Sequence, residues 1–261
     1  MTATLRTEQH GAVRVLTIDR PEAKNAMHGE LRAALRAAMT EADRDGAVHA
    51  VILTGVDPVF SAGVDFKRLE RSPDETGSPL DPTPAAVVRA MRKPVICAVN
   101  GVCVSGALEV ALSCSFIIAS ERARFADTHA LLGVVPTWGL TALLPRAVGV
   151  RKAREMSVTG AFVDAEEALR IGLVNHVLPH DQLLPYTLDL AARIPGSAAV
   201  ADMLRLYRSG EDLSLAGALA LETTSSIGRT YDLTAFTAAG SKASARQRDH
   251  RPPASDEGNS L

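Results

Sequence analysis

The fold is decided by residues 94–120, which read PVICAVNGVCVSGALEVALSCSFIIAS. Glu109 is the one charged side chain between Lys93 and Glu121. Burying an unpaired carboxylate costs several kcal/mol, so Glu109 must be partnered, raised in pKa or used in chemistry.

This apolar stretch is long enough to raise the question of a membrane span, but two turn-forming steps interrupt it. The steps are Asn100-Gly101 and Ser105-Gly106. We therefore expect a strand at residues 95–99, a loop at 100–105, a helix near 106–113 and a strand at 116–119, all in a buried core. Glu109 then lies in the first turns of a helix that follows a buried strand.

Composition and charge exclude several functional classes. The chain has 261 residues and a net charge of −2. This length suits one large domain, alone or with a small appendage. No basic excess supports binding to nucleic acid. The first residues lack an apolar signal segment, so we expect a cytoplasmic protein that is neither exported nor bound to a membrane.

The three cysteines, Cys97, Cys103 and Cys114, all lie in apolar surroundings. We expect them to be small buried residues in a reducing compartment rather than reactive thiols. Neither a CxxC nor an HExxH pattern occurs, so a zinc site built by the protein is not expected.

A strand–loop–helix pattern occurs twice, at residues 51–69 and 95–113, with the similar small-residue loops FSAGVD and VSGALE. Short apolar runs bounded by turns are typical of buried parallel strands. A strand at 13–18 and an amphipathic helix that ends at Asp45-Gly46 precede the first copy. The two copies indicate an α/β chain with a quasi-repeat of ββα type, although periodicity alone is too weak to assign it.

After Pro136 the pattern becomes mainly helical. The predicted elements there are a helix from Asp164 to Gly172, a strand at 173–178 and a helix from His180 to Arg193. We place a domain boundary near Pro195 and expect helix from there to about residue 244. The polar, proline-bearing residues 72–83, SPDETGSPLDPT, are expected to be mobile.

Both small-residue loops deliver backbone N–H groups at a helix N-terminus, where the helix dipole favours negative charge. If the two helix starts face each other, their N–H groups can bind one oxygen atom. That arrangement is an oxyanion hole, suited to a thioester carbonyl that becomes an enolate. Gly63 and Gly106 fit loops that a ligand approaches closely. The alternative is that both loops are tight turns between strand and helix.

Other catalytic motifs fit less well. Gly101-x-x-x-x-Gly106 begins like a P-loop, but Ala107 and Leu108 stand where Lys and Ser or Thr belong. No G-x-G-x-x-G follows a strand, and Ser105 lacks the flanking glycines of a nucleophile elbow. Phosphoryl transfer, nucleotide-linked hydride transfer and α/β-hydrolase chemistry are therefore disfavoured.

Four ordered motifs resemble the enoyl-CoA hydratase/isomerase (crotonase) family. They are Asp19-Arg-Pro-Glu-Ala-Lys-Asn-Ala-Met27, then Leu53-Thr-Gly55 with Phe60-Ser-Ala-Gly-Val-Asp65, then Val99-Asn-Gly101 with Ser105-Gly-Ala-Leu-Glu109, and Phe125-Ala-Asp-Thr-His-Ala-Leu-Leu-Gly133 with Pro136. The match runs in order from about residue 10 to 195. The resemblance implies a spiral of ββα repeats at 1–195 with a site for a CoA thioester. It also implies a helical region at 196–250 that builds trimers or hexamers, and the remaining residues, 251–261, are expected to be a disordered tail.

The resemblance also implies roles for residues of this sequence. The backbone N–H groups of Val64 and Gly106 would form the oxyanion hole. The positions expected to hold coenzyme A and substrate are Lys24, Ala26, Ala62, Asp65, Phe66, Lys67, Pro136 and Trp138. The two lysines would pair with CoA phosphates, or else be ordinary exposed lysines. Ser105 stands where many members have glycine and is expected to cap the helix.

Glu109 matches the first of two catalytic glutamates in the hydratases, whereas His129 stands in place of the second. An apolar pocket should raise the pKa of Glu109, which suits a group that exchanges protons near neutral pH. The alternative for Glu109 is an ion pair with a distant Arg or Lys. His129 could exchange a proton at Cα, pair with Glu109, or only line the pocket. Asp127 either orients His129 or is exposed.

The leading hypothesis is therefore an enzyme that adds water to 2-enoyl-CoA, with no cofactor beyond the coenzyme A of the substrate and no metal. A second hypothesis keeps CoA and the enolate but changes the reaction to isomerisation or thioester hydrolysis, because one fold supports several chemistries. A third is an acyl-CoA-binding protein without catalysis, because the second glutamate is absent.

Overall fold

Two largely parallel sheets organise the chain in the computed structural model, which describes residues 4–71 and 82–227. The first sheet has six strands, in the spatial order β1 (Leu5–His10), β2 (Val13–Ile18), β3 (Ala50–Gly55), β5 (Val95–Val99), β7 (Phe116–Ser120) and β10 (His176–Leu178). The second has four, in the order β4 (Val59–Ser61), β6 (Val102–Val104), β8 (Arg124–Ala126) and β9 (Val163–Asp164). Strands β1 and β9 are the antiparallel members.

Helices connect and cover these strands. They are α1 (Gly29–Arg44), α2 (Phe66–Arg71), α3 (Pro84–Ala90), α4 (Gly106–Ser113), α5 (Leu140–Val148), α6 (Val150–Thr159), α7 (Ala165–Arg170), α8 (Leu183–Ala192), α9 (Ala198–Gly210) and α10 (Leu215–Ser226). The described residues up to Tyr207 form one compact unit, and the described residues from Arg208 form a second. Within the described ranges, every helix is too short or too polar to cross a bilayer.

The chain alternates between the two sheets. Strands β3, β5 and β7 pair in parallel in the first sheet, and the strand that follows each of them, β4, β6 or β8, pairs in parallel in the second. Helix α2 follows β4, and α4 follows β6. Each pair of consecutive strands therefore adds one strand to the first sheet and one to the second. This confirms the ββα repeat indicated by residues 51–69 and 95–113.

Both faces of the first sheet are covered, which explains its nearly continuous apolar strands. One face packs against α1, α3 and α4. The other packs against α8, whose Leu183 and Ala191 contact side chains from β2, β3, β5 and β7. The predicted amphipathic helix is α1, which buries Leu31, Leu35 and Met39 on one side.

Two predictions about local structure were wrong, and one strand was not predicted. Residues 100–105 are not simply a loop, because Val102–Val104 forms β6; three apolar residues are too few to show a strand period. Strand β1 was not predicted, because its sequence LRTEQH is polar and mostly exposed, and its pairing with β2 creates it. The strand expected at 173–178 is only His176–Leu178, because the Leu173 N–H donates instead to Ala168, near the end of α7.

The remaining boundaries agree closely with expectation. The helix expected from His180 begins as a 3-10 turn at His180–Gln182 and continues as α8. Residues 72–81 of the predicted mobile segment, and the predicted tail at 251–261, lie outside the described residues. The region predicted to be helical at 196–250 is described as far as residue 227 and contains α9 and α10. Its division from residues 1–195 stays a prediction.

Asn25 ties the segment after β2 to the turn between β3 and β4. Its side chain is buried, and Nδ2 donates to the carbonyls of Val56 and Val59 at 2.8 and 2.6 Å. Oδ1 accepts the backbone N–H of Arg20 at 2.8 Å. The backbone of Asn25 is left-handed, with φ +55°, a region that Asn tolerates better than most residues. One amide group therefore satisfies three backbone groups that would otherwise lose their partners.

We predict that Asn25→Asp lowers the free energy of unfolding by about 2–4 kcal/mol, because a carboxylate oxygen would face two carbonyl oxygens in a buried site. Urea denaturation would measure the loss. The matched control is Asn175→Asp, because the exposed Asn175 uses only Oδ1, which accepts the Ile117 N–H. A loss of similar size in both variants would contradict the role given to Asn25.

Candidate active site

Strands β4, β6 and β8 lie side by side in parallel, so their carboxyl ends share one edge of the second sheet. The segments that leave this edge are residues 62–65, 105–109 and 127–129. Sites in parallel α/β structures typically lie at such an edge. The topology thus brings the two predicted loops and the segment with His129 to one place.

The two loops that carry the predicted oxyanion donors touch each other at Gly63. A methyl group on Gly63 would lie 2.9 Å from the Val104 carbonyl oxygen and 3.1 Å from the Gly106 nitrogen, and φ there is +83°. Only glycine fits without displacing the loops. In the described part of the chain, neither the Val64 N–H nor the Gly106 N–H has an acceptor. Both amides are therefore available to a ligand oxygen.

Glu109 lies in the first turn of α4 and is 2% exposed. Oε1 accepts the Trp138 N–H at 2.7 Å and the Leu140 N–H at 3.2 Å. Oε2 lies 3.6 Å from Nε2 of His129. Burial raises the pKa of Glu109, although the two amides and His129 act in the opposite direction. The predicted rise in pKa is confirmed, and no described Arg or Lys forms an ion pair with this carboxylate.

Asp127 is buried and orients His129 from the side opposite Glu109. Its Oδ1 lies 2.6 Å from Nδ1 of His129 and accepts the backbone N–H of the same residue at 3.1 Å. The hydrogen bond to Asp127 raises the pKa of His129, against the effect of burial. Burial alone would raise the pKa of Asp127, but bonds from His129 and from the neighbouring Ser157 hydroxyl lower it. Of the two possibilities for Asp127, the structure supports orientation of His129.

Ser105 does not cap α4, so that prediction was wrong. Its hydroxyl makes no bond to the helix; instead Oγ bonds to the Thr128 hydroxyl and accepts the Thr128 N–H at 3.2 Å. The backbone of Ser105 has φ +52° and ψ −118°, values that favour glycine. The residue therefore fastens the segment with His129 to the start of α4, in a conformation that its side chain makes unfavourable.

A cavity of about 570 Å³ lies beside the first loop. Six of the residues predicted to hold coenzyme A line it together: Lys24, Ala26, Ala62, Asp65, Phe66 and Lys67. Val64 lines it too, so the cavity reaches the residue that carries one predicted oxyanion donor. Phe66 is 40% exposed there and offers an apolar surface to a ligand.

Charge in this cavity is mostly positive. Arg20 and Arg68 line it in addition to Lys24 and Lys67. Arg20 was missed as a lining residue, although Asp19-Arg-Pro begins the first family motif. Its guanidinium binds Asp65, whose other oxygen accepts the Arg68 N–H at 3.1 Å. Burial opposes the Asp65 charge, but these bonds lower its pKa. Asp65 therefore supports the wall of the cavity.

The two lysines of the cavity are exposed, and neither pairs with a carboxylate in the described ranges. Trp138 does not line this cavity; it lies at the Glu109 site, where its ring would be 3.3 Å from a methyl group on Gly106. Its backbone also holds Glu109, which the sequence did not reveal. Pro136 is half-buried two residues earlier, and its predicted contact with substrate stays a prediction.

We predict that Ser105→Ala destabilises the protein by about 1–2 kcal/mol, because Ala keeps the unfavourable φ and loses the bonds to Thr128. Ser105→Gly loses the same bonds but relieves the backbone, so it should be about 1 kcal/mol more stable than the Ala variant. Thermal unfolding of both variants would measure the difference. An Ala variant as stable as the Gly variant would contradict the strain at this position.

Comparison with known proteins agrees with this architecture. The model of a family described as enoyl-CoA hydratase/isomerase matches residues 8–226. A probable enoyl-CoA hydratase from Rhizobium meliloti is 38% identical over 213 residues, 81% of this chain and 83% of that protein. A crotonyl-CoA hydratase from Syntrophomonas wolfei is 36% identical over 79% of this chain and 81% of that protein.

Solved structures show the same fold. An enoyl-CoA hydratase from Mycobacterium tuberculosis is 45% identical, has a TM-score of 0.73 and matches 84% of this chain and 95% of its own. An enoyl-CoA hydratase from Bacillus anthracis is 27% identical, with a TM-score of 0.83 over 92% of this chain and 97% of its own. The fold is thus the crotonase spiral predicted from the motifs. On sequence and structure together, this chain belongs to the enoyl-CoA hydratase/isomerase family.

Proposed function

We propose that the protein adds water to the double bond of a 2-enoyl-CoA thioester. The observation that carries this proposal is the pair formed by Glu109 and His129, whose Oε2 and Nε2 atoms lie 3.6 Å apart beside two amide groups without acceptors. Hydration needs a base for water, a proton donor for Cα and a site for negative oxygen. These residues supply all three.

The Val64 and Gly106 N–H groups bind the thioester carbonyl oxygen. Donors that are already oriented stabilise the negative charge that develops on this oxygen more than they stabilise the neutral carbonyl, so they lower the barrier. Ionised Glu109 takes a proton from water while the water oxygen bonds to Cβ. The electron pair of the double bond moves toward the carbonyl oxygen, and protonated His129 gives its Nε2 proton to Cα.

This sequence of steps balances and resets itself. The substrate gains one hydroxyl group and one hydrogen, while Glu109 becomes protonated and His129 becomes neutral. The proton then returns from Oε2 of Glu109 to Nε2 of His129. Burial favours protonated Glu109, and Asp127 favours protonated His129, so both residues can hold the proton in turn. No cofactor is required beyond the coenzyme A that the substrate carries.

The cavity beside the first loop is the proposed site of coenzyme A. Arg20 and Arg68 already pair with carboxylates, whereas Lys24 and Lys67 have no competing carboxylate among the described residues and therefore suit the phosphates of that group. Val64 connects this cavity with the proposed oxyanion hole. Relatives named enoyl-CoA hydratase and crotonyl-CoA hydratase support the same substrate class. The predicted cytoplasmic location and the trimeric or hexameric assembly stay predictions.

We predict that Glu109→Gln and His129→Gln each lower kcat for hydration of a short 2-enoyl-CoA by about 10²- to 10⁴-fold, because each removes a positioned acid or base. Binding of acyl-CoA should change little, since neither side chain lines the cavity. Turnover would be measured by the loss of absorbance of the conjugated thioester, and binding would be measured by calorimetry.

The matched control is Glu166→Gln, which removes an exposed carboxylate from α7 and should leave kcat unchanged. Full activity of Glu109→Gln would disprove the assignment of the base. Product analysis with 2-enoyl-, 3-enoyl- and 3-hydroxyacyl-CoA distinguishes hydration from isomerisation and from thioester hydrolysis. A natural protein that binds acyl-CoA tightly but converts none of these substrates would overturn the proposal in favour of a binding protein.

We predict that the double substitution Lys24→Glu with Lys67→Glu raises KM for the CoA ester by roughly 10- to 100-fold, about 1.4 kcal/mol for each factor of ten. The reason is that two negative charges would replace two phosphate partners. The same change should leave KM for the N-acetylcysteamine thioester almost unchanged, because that substrate has no phosphates. Added salt should reduce the difference between natural protein and variant.

Arg151→Glu is the control for the charge change, because this exposed residue of α6 does not line the cavity. It should leave KM for the CoA ester within about twofold, as is usual for exposed substitutions far from a site. Equal effects of the lysine substitutions on both thioesters would contradict a phosphate site at this cavity.

A further inference from the structure

Asp127 contacts both the main chain and the ring of His129. One hydrogen bond would be enough to satisfy a histidine that only lines the pocket. Oδ1 accepts the backbone N–H of His129 and lies 2.6 Å from ring atom Nδ1. The carboxyl group is 1% exposed and the His129 side chain 7%. Binding both the main chain and the ring fixes the direction of the imidazole, because it cannot rotate without breaking the bond at Nδ1.

A carboxylate can only accept hydrogen bonds, so Nδ1 of His129 must carry a proton when it bonds to Asp127. Neutral His129 is then protonated on Nδ1 and has its free electron pair on Nε2. The second proton, when present, is on Nε2, which is the atom 3.6 Å from Glu109. The exchangeable proton of the imidazole therefore always lies on the side of Glu109.

The groups that face His129 come from several elements. Within the described chain, its charged neighbours are Asp127, from the same segment, and Glu109, from α4. Helix α6 contributes the uncharged Ser157 hydroxyl beside Asp127. Trp138, just before α5, and Leu140, at its start, contribute the backbone amides that hold Glu109. With acids on both sides and no described cation beside it, the imidazolium form is stabilised.

We propose that Asp127 is a positioning residue for the hydration reaction: it fixes the tautomer of His129, aims Nε2 at the reacting carbon and stabilises the imidazolium as the proton donor. This inference rests on the proposed function. In the forward step the Nε2–H bond breaks and a C–H bond forms at Cα, while the Nδ1–H bond to Asp127 stays intact. Asp127 therefore neither gains nor loses a proton, and its constant negative charge stabilises the imidazolium of His129.

The expected pH dependence follows from the protonation state that each group needs. Hydration requires ionised Glu109, so kcat/KM falls at low pH, and it requires protonated His129, so kcat/KM falls at high pH. The two limbs belong to the coupled pair. Loss of the Asp127 charge lowers the pKa of His129, and the alkaline limb must then move to lower pH.

We predict that Asp127→Asn moves the alkaline limb of kcat/KM down by about one to two pH units and lowers the maximum by about 10²-fold. Asp127→Glu keeps the negative charge, so the alkaline limb of kcat/KM should stay close to its natural pH. The longer side chain can still lower the maximal rate. Equal losses at all pH values, with the limb unmoved in Asp127→Asn, would reduce Asp127 to a purely structural role and overturn the proposal.

Nitrogen-15 NMR of the histidine rings tests the same inference without turnover. In the natural protein above the pKa of His129, Nδ1 should show the shift of a protonated nitrogen and Nε2 that of an unprotonated one; His129→Gln identifies the signals by their loss. An Nε2–H tautomer would overturn the proposal even if Asp127→Asn does not fold. If the natural protein hydrates no enoyl-CoA, the proposed function fails, whereas the tautomer and its titration still decide the role of Asp127.

Discussion

The parallel pairing of β4, β6 and β8 is the constraint on which the rest of the site depends. Parallel strands that lie side by side end at the same edge, so three separate parts of the chain leave the sheet together. One brings Val64, one brings Gly106 and Glu109, and one brings Asp127 and His129. A shift of one residue in either pairing would reverse the faces of the side chains and separate these groups.

In both Glu109 and His129, one side-chain atom is hydrogen-bonded by the protein and the other faces the partner residue. On Glu109, Oε1 accepts two backbone N–H groups, while Oε2 lies 3.6 Å from Nε2 of His129. On His129, Nδ1 is committed to Asp127, while Nε2 faces Glu109. Each residue therefore has one atom held by the protein and one left for chemistry. In the proposed mechanism, this arrangement restricts proton exchange to Oε2 of Glu109 and Nε2 of His129.

Much of the site could be predicted from the sequence because several signals are local. The small-residue loops FSAGVD and VSGALE marked the two helix starts, and one charge in a long apolar stretch marked Glu109. Six of the eight coenzyme A and substrate residues that the family resemblance implied share one cavity. The two that do not, Pro136 and Trp138, come from the segment before α5, where Trp138 lies against α4 instead.

The resemblance to the crotonase family implied that His129 stands in place of a second glutamate. The sequence by itself indicated the repeated strand–loop–helix pattern and the helix that carries Glu109. It could do so because apolar periodicity and turn residues act over a few neighbouring positions. Only the tertiary structure decided that Ser105 bonds to Thr128 instead of capping α4, and that Asp127 is buried against His129. The contact between Ser105 and Thr128 depends on which strands become neighbours, and the burial of Asp127 depends on what packs around residues 127–129. Neither outcome leaves a periodic mark in the sequence.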